Sequence, residues 1–447
     1  MEIRKARLQA TKIAWTFFAW SLLPFGARAA DGLNYSVQLS LEHSDNIAET
    51  PVDPVSESIL IPRLNFTWAE TGSVLQANAT GEIEYRDYLG GKFDNEVRGQ
   101  LAGVASWIIS PGRFTFDFAD YAGVAPVNLF ATNGPGNQQQ TNVFSLGPTF
   151  LFRFGSELRG EADLRATDSS ASVTKSFNSQ RVLGALRAIR DLSPTDQLSA
   201  NVEAGDVHFR DSGAGPDYER YSGYVRYQSK RAAVDLDGSI GYSLIDFSHA
   251  SSDSGLFAHG KATWHATAES SFEVEASRQY SDSTQDLVIE PAQLAATAAG
   301  PRILVGNVPI NSDVYIEERV DFAYAYRSGR IELRLAPFYR NLNYVLEPGV
   351  AQAQNGATDQ TAHGVLLEVA YHPRPLWTVG FNATEETRRF TRIDRHDEDL
   401  RFGLNVTNQF SRQWSWRFDA IRNQRSSTFP GQGFGENLAM ISVIYRR

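Results

Sequence analysis

The chain contains no cysteine. This excludes a disulfide framework, a thiolate nucleophile, a cysteine-based zinc site and a lipid-modified cysteine. Long apolar runs are missing after residue 29, which excludes membrane-spanning helices there. Basic residues are outnumbered, 42 lysines and arginines against 52 aspartates and glutamates, so a basic footprint for nucleic acid is missing too. Two classes remain: a secreted all-β protein and a membrane β-barrel, in which only alternate residues face lipid.

The first 29 residues have the pattern of a secretory signal. A basic segment precedes an apolar stretch from Ile13 to Phe25, and small residues follow, with Ala27 and Ala29 at the spacing of a cleavage site. The apolar stretch is short for a transmembrane helix, so an uncleaved anchor is the weaker alternative. Because no twin-arginine pair is present, we expect Sec-dependent export, cleavage near Ala29 and one mature domain over residues 30–447.

Apolar and polar residues alternate strictly in the segments that follow. In the first segment Val37, Leu39 and Leu41 share one face, whereas Gln38 and Ser40 share the other. Successive strand residues point to opposite faces, so each segment has an apolar wall and a wet wall. Several alternations last about 10 residues or more, the length of a tilted membrane strand.

The linkers between these segments are alternately short and long. Short turns such as Ser110-Pro111-Gly112 and Pro373-Arg374 alternate with longer connections such as residues 125–140 and 282–312. Outer-membrane barrels have short periplasmic turns and longer extracellular loops. The series predicts one antiparallel up-and-down β-barrel of about 20 strands, with 18 as the alternative, apolar faces outward and both ends on the periplasmic side.

Aromatic residues support this prediction, whereas three prolines fit some of the predicted strands poorly. Aromatic residues cluster near segment ends, as in the interfacial girdles of membrane barrels; Tyr88 and Tyr280 are examples. Pro62, Pro148 and Pro337 fall inside predicted strands, where each removes a ladder hydrogen bond, so we expect bulges or shifted boundaries there.

The wet faces carry charges of both signs, which would keep water in a pore. The residues predicted to line the lumen are Glu82, Glu84, Arg86, Asp94, Glu96, Arg98, Arg159, Glu161, Asp163, Arg165, Glu317, Arg319, Asp321, Arg417 and Asp419.

One long connection, residues 282–312, differs from the others. Proline after an acidic residue, an alanine-rich stretch and a glycine just past its end predict a short helix that begins at Pro291 and ends before Gly300, and an apolar stretch follows it. A compact extracellular loop and a constriction folded into the lumen are equally open readings. The residues that would form the constriction are Glu290, Pro291, Leu294, Gly300, Ile303 and Leu304.

The sequence offers little chemistry. The histidines are scattered without metal-ligand spacing. The carboxylate pairs Glu82/Glu84 and Glu273/Glu275 lie on one face of a strand, where solvated lumen charges are a simpler interpretation than a glycosidase pair. We therefore predict no catalytic residues, no metal and no cofactor, and a protein that is not an enzyme.

Three patches resemble a known family. They are Ser40-Leu41-Glu42-His43-Ser44-Asp45-Asn46-Ile47, the region from Gly112-Arg113-Phe114 to Asn142-Val143-Phe144-Ser145-Leu146-Gly147-Pro148, and Glu436-Asn437-Leu438-Ala439-Met440. They look like the outer-membrane β-barrels, of porin type, that accompany exopolysaccharide biosynthesis and PEP-CTERM (exosortase) loci. The resemblance implies a role in exopolysaccharide production or export in the outer membrane of a Gram-negative bacterium, and it supplies no catalytic residues.

Several functions remain open from the sequence. The preferred one is a hydrated channel, or an accessory of the export machinery, for exopolysaccharide. A general diffusion porin is the alternative, and a non-conducting structural or docking barrel comes second, ahead of an outer-membrane enzyme. Expected partners are outer-membrane lipid and lipopolysaccharide, and the resemblance implies polysaccharide and periplasmic export components as well.

Overall fold

The computed structural model describes residues 32–155, 157–288, 309–347 and 355–447, and they form one closed antiparallel barrel of 20 strands. The predicted fold class and strand number are confirmed. The strands are β1 (Leu33–Ser44), β2 (Glu57–Thr71), β3 (Leu75–Tyr88), β4 (Glu96–Ser110), β5 (Phe114–Pro126), β6 (Gln138–Phe154), β7 (Leu158–Ala171), β8 (Ser179–Asp191), β9 (Asp196–Phe209), β10 (Tyr218–Lys230), β11 (Val234–Phe247), β12 (Asp253–His265), β13 (Ser270–Asp282), β14 (Val314–Arg327), β15 (Ile331–Tyr344), β16 (Gln360–Arg374), β17 (Trp377–Phe390), β18 (Arg395–Gln409), β19 (Trp414–Ser427) and β20 (Phe434–Arg446).

Helical structure is scarce in the described residues. It consists of 3-10 turns at Pro135–Asn137 and Lys175–Phe177 and one short helix, α1 (Ser283–Asp286). No helix in the part of the chain that the structure describes is long and apolar enough to cross a membrane.

The barrel closes because β1 pairs with both β2 and β20. Leu41 lies opposite Leu60 on one side and Ile441 on the other. Side chains reinforce the closing pair, since the hydroxyl oxygens of Ser40 and Ser442 are 2.9 Å apart. Closure pairs each of the 20 described strands with a neighbour on both sides, which is how a barrel satisfies its backbone polar groups in lipid.

The wall has the predicted polarity. On β1, Val37 is 48% exposed and Leu39 52%, whereas Gln38 is 7% and Ser40 1% exposed. Apolar side chains therefore face outward and polar side chains face the interior, as an aqueous interior and a lipid surround require.

Connection length separates the two ends of the barrel. Connections of two to four residues join strands at one end, here called the short-turn end; connections of four to 31 residues join them at the other, the long-loop end. The turn predicted at Pro373-Arg374 is displaced, because β16 continues to Arg374 and the turn is Pro375-Leu376.

Pro62, Pro148 and Pro337, the prolines predicted to lie inside strands, do not cause bulges; the register shift near a strand proline occurs in β16, between Tyr371 and Arg374. The β2–β3 ladder is interrupted between Leu60 and Arg63, beside Pro62, and then resumes in the same register. Pro148 and Pro337 interrupt the β6–β7 and β14–β15 ladders in the same way. Each proline stays paired with its other neighbouring strand, so the lost hydrogen bond is absorbed without a shift in register.

Candidate functional site

Ion pairs cover the inner wall of β1 to β3. Arg86 donates to Glu42 at 2.7 Å and to Glu84 at 3.3 Å, and Arg63 donates to Glu84 at 2.6 Å. Glu82 lies 3.5 Å from Arg63. All five side chains are buried, and buried opposite charges hold one another in fixed geometry. Glu82, Glu84 and Arg86 thus belong to one rigid network on the inner wall.

Of the next three predicted lumen residues, two lie on a strand and one lies in a loop. Glu96 and Arg98 lie on β4, where Arg98 donates to Glu96 at 2.6 Å, and the hydroxyl of Tyr88 donates to the same carboxylate at 2.6 Å. Asp94 does not line the lumen. It is exposed in the connection before β4 begins, because the alternation of the sequence continues two residues beyond the paired strand.

β7 carries four predicted lumen residues on its inner face: Arg159, Glu161, Asp163 and Arg165. Arg165 donates to Asp117 of β5 at 2.8 Å. Arg187 of β8 forms ion pairs with both Glu161 and Asp163. The charges on this wall are therefore cross-linked between neighbouring strands.

Residues of β14 and β19 form the remaining predicted pairs. Arg319 donates to Asp321 on β14, and Glu317 lies 2.6 Å from Arg340 of β15. On β19, Arg417 donates to Asp419 at 2.7 Å.

The connection after β13 enters the barrel. The ladder between β12 and β13 extends no farther than Ala258 opposite Arg278, and beyond this point the end of β13 leans inward. Its last residue, Asp282, accepts hydrogen bonds from Arg181 of β8 at 2.7 Å and from Tyr218 of β10 at 2.8 Å. The connection is thereby tied to strands on another side of the barrel.

Helix α1 carries a second attachment, on β14 and β15. Asp286 accepts hydrogen bonds from Arg340, at 2.9 Å, and from the hydroxyl of Tyr315. Burial raises the pKa of Asp286 to about 6, and the nearby Glu317 contributes to the rise.

An apolar core supports both attachments. Leu287 and Ile310, on the two sides of the connection, pack with Phe177 of the β7–β8 connection and with Ala125 and Val143 of the wall. We call the inward-folded described part, residues 283–288 and 309–313, the inner loop.

The predicted constriction falls elsewhere in this connection. Glu290, Pro291, Leu294, Gly300, Ile303 and Leu304 lie outside the described residues. These residues were predicted from local composition, which does not reveal the described Asp282 and Asp286, because the role of these two depends on partners far away in the sequence.

A second connection bridges the long-loop end. In residues 127–137, between β5 and β6, the ring of Phe130 packs edge-on against the ring of Phe390, with centroids 4.9 Å apart. The guanidinium of Arg395 lies 5.0 Å from the centroid of the Phe130 ring. The backbone amide of Asn133 donates to Glu49 of the β1–β2 connection at 2.6 Å. We call residues 127–137 the bridging loop.

An open cavity of about 1280 Å³ runs beside the bridging loop. It reaches from Glu49 and Asn133 at the long-loop end to the turn containing Thr267 and Glu269 at the short-turn end, and we call it the conduit. Its wall consists largely of β14 to β19. Polar and charged residues that line it include Arg327, Glu332, Arg334, Glu368, Asn382, Thr384, Glu386, Asp399, Arg401, Asn405, Arg417, Asn423 and Arg425.

The carboxylate pair on β13 is neutralised by a lysine of the neighbouring strand. Glu273 and Glu275 both accept from Lys261, at 2.9 and 3.3 Å, which is the arrangement of a neutralised wall pair. No group of three or more potential ligands that could hold a metal ion occurs within the described ranges. What the arrangement does offer is a polar path that side chains do not fill.

The closed ring, the apolar outer wall and the polar interior define the class: an outer-membrane β-barrel. No family model matches the chain, and no curated protein matches it.

Solved structures with a similar fold include two receptors and one iron transporter. The siderophore receptor PirA from Pseudomonas aeruginosa is 13% identical, with a TM-score of 0.44, and the match covers 94% of this chain and 81% of that one. The FrpB iron transporter from Neisseria meningitidis is 10% identical, with a TM-score of 0.44 over 96% and 83% of the two chains. The alcaligin outer-membrane receptor FauA from Bordetella pertussis is 11% identical, with a TM-score of 0.44 over 94% and 77%.

Proposed function

We propose that this protein is a hydrated outer-membrane channel that takes part in exopolysaccharide export. The observation that carries the proposal is the conduit, a cavity lined by many polar and charged side chains that extends between the two ends of the barrel beside the bridging loop. A barrel of about 20 strands is too wide for wall side chains alone to fill, so water occupies the space that loops leave. Lipid and lipopolysaccharide surround the apolar outer wall.

The assignment to exopolysaccharide is supported by the sequence patches around Asp45-Asn46 and Glu436-Asn437. In the fold these patches are neighbours, since Asn437 donates to Asp45 through its backbone amide at 2.7 Å and through its side chain at 2.6 Å. Motif residues separated by almost the whole chain therefore meet at the closing strand pair.

Two other functions have an observation in their favour. A general diffusion porin agrees with conduit charges that are mixed in sign. A non-conducting docking barrel agrees with the bridging loop, because its contacts with Phe390 and Glu49 cover part of the long-loop end.

A deletion strain with matched complementing variants separates these functions. Thr384 lines the conduit on β17, and Val379 of the same strand faces outward. Surface polysaccharide should fall on deletion, return with Val379→Trp and stay low with Thr384→Trp, because only the latter tryptophan narrows the path. Purified protein should conduct in planar bilayers, and Thr384→Trp should lower that conductance.

Each contrary outcome points to one alternative. Unchanged surface polysaccharide in the deletion strain, together with conductance, would end the export proposal and leave a porin. Lost polysaccharide that Thr384→Trp restores fully, without conductance by either protein, would leave a docking barrel.

A further inference from the structure

Two asparagines lie flat against the wall of the conduit. In the register of β17 and β18, Asn382 is opposite Gly403 and Gly380 is opposite Asn405. A Cβ added to Gly380 would lie 2.5 Å from the side-chain nitrogen of Asn405, and one added to Gly403 would lie 3.0 Å from the side-chain oxygen of Asn382. Each amide therefore occupies space that only a glycine leaves on the neighbouring strand. The wall stays smooth and presents amide groups along its surface.

The charges on the same wall are already neutralised by one another. Arg425 donates to Asp399 at 2.7 and 3.1 Å. Arg334 lies 3.6 Å from Glu368. Six carboxylates and five guanidinium groups line the conduit, so the two signs nearly balance. A polyanion would gain little here, because its recognition relies on cations that are not already paired.

We infer that the wall formed by β16 to β19 binds a neutral polyhydroxylated chain, such as an uncharged polysaccharide, with Asn382 and Asn405 as the specificity-determining residues. The inference rests on the proposed channel function and names its substrate class. An amide has both a donor and an acceptor, which suits adjacent hydroxyl groups of a sugar. The flanking ion pairs add further donors and acceptors without favouring a charged ligand.

Two variants test this wall. The double variant Asn382→Leu and Asn405→Leu keeps side chains of similar size and removes both amides. The control is Asn65→Leu on β2, an asparagine of the inner wall that does not line the conduit. Folding of all proteins is checked by the shift in gel mobility on heating.

The probes are maltoheptaose, which is neutral, and hexagalacturonate, which is anionic and of similar length. Binding to purified full-length protein is measured by calorimetry, and block of the current is measured in planar bilayers with the probe on both sides. Maltoheptaose should bind and block more strongly than hexagalacturonate. The double variant should bind maltoheptaose roughly thirtyfold more weakly, since it loses at least two hydrogen bonds and each is worth about 1 kcal/mol, whereas Asn65→Leu should match the parent protein.

Preference for hexagalacturonate, or undiminished maltoheptaose binding by the folded double variant, would overturn the inference. Maltoheptaose binding that depends on the two asparagines, in a protein that does not conduct, would support the binding wall and refute the channel. Conductance without maltoheptaose binding would refute the wall and leave the channel.

Discussion

Arg181 of β8 and Asp282 at the end of β13 form an ion pair of 2.7 Å between strands five positions apart in the ring. Both side chains are largely buried, and Tyr218 completes the carboxylate's hydrogen bonds. The pair fixes where the inner loop leaves the wall.

Breaking the ion pair between Arg181 and Asp282 should release the inner loop from the wall. Arg181→Ala leaves the Asp282 charge buried without its cation, and such a loss typically costs about 3–5 kcal/mol. The inner loop should detach, and single-channel conductance should rise. Arg190→Ala is the control, because its pair with Glu157 is exposed at the short-turn end and such pairs contribute little. Equal conductance of parent and Arg181→Ala would show that the inner loop does not restrict the path.

A lower pH should strengthen the docking of the inner loop onto β14 and β15. The pKa of Asp286 is about 6 in the docked loop, above its ordinary value of 3.8, so the docked state binds more protons between these values. By linkage, docking is weakest above pH 6 and strengthens as the pH falls toward 4. Arg340, Tyr315 and Glu317 face this carboxyl group.

Conductance should accordingly be lower at pH 5 than at pH 8. The double variant Asp286→Asn and Asp313→Asn should give the low value at both pH values, since burial also raises the pKa of Asp313 in the same loop to about 6 and neither amide can ionise. Asp211→Asn in the β9–β10 connection should leave the pH response intact. A response that survives in the double variant would assign it to another group.

A charged side chain on the outer face should destabilise the barrel in lipid. Val37→Arg places a cation in lipid and should cost about 2–4 kcal/mol if the site lies near the bilayer midplane. Ser36→Arg, one residue away, places the same cation on the inner face and should cost far less. Urea titration of folding into lipid vesicles measures both. Similar losses for the two variants would contradict the assignment of faces.

Protease access should distinguish the two ends. A cleavable tag between Ala250 and Ser251, in the exposed β11–β12 connection, should be cut on intact cells. A tag between Pro375 and Leu376 should be cut only after the outer membrane is permeabilised. The opposite pattern would invert the orientation. The bridging loop and the inner loop are poor sites for such tags because their described residues pack against the barrel.

Sequence patterns determine faces well and long-range contacts poorly. Alternation places Val37 and Gln38 on opposite walls, since a two-residue period belongs to the local chain. Tyr88 and Tyr280, predicted near the membrane interfaces, instead pack in buried clusters at the long-loop end. Tyr280 packs with Val207, Tyr218 and Phe247 of other strands, so its burial depends on contacts far away in the sequence.

The partners of the conduit wall escaped prediction for the same reason. Arg417 and Asp419 are two residues apart and were identified as neighbours on one face. The contact between Asn405 and Gly380 depends on the register of β17 and β18, and no local pattern reveals it.

The pairing of β1 with β20 can form only late in assembly. The hydrogen-bonded Ser40 and Ser442 of this pair are separated by 402 positions, so the pair forms only after the last strand has emerged from synthesis and export. Until then the two terminal strands both present open edges, which are templates for pairing with other chains. Contacts of such separation also slow folding. The unassembled protein therefore depends on protection in transit, and changes at Ser40 or Ser442 should lower yield before they alter the finished barrel.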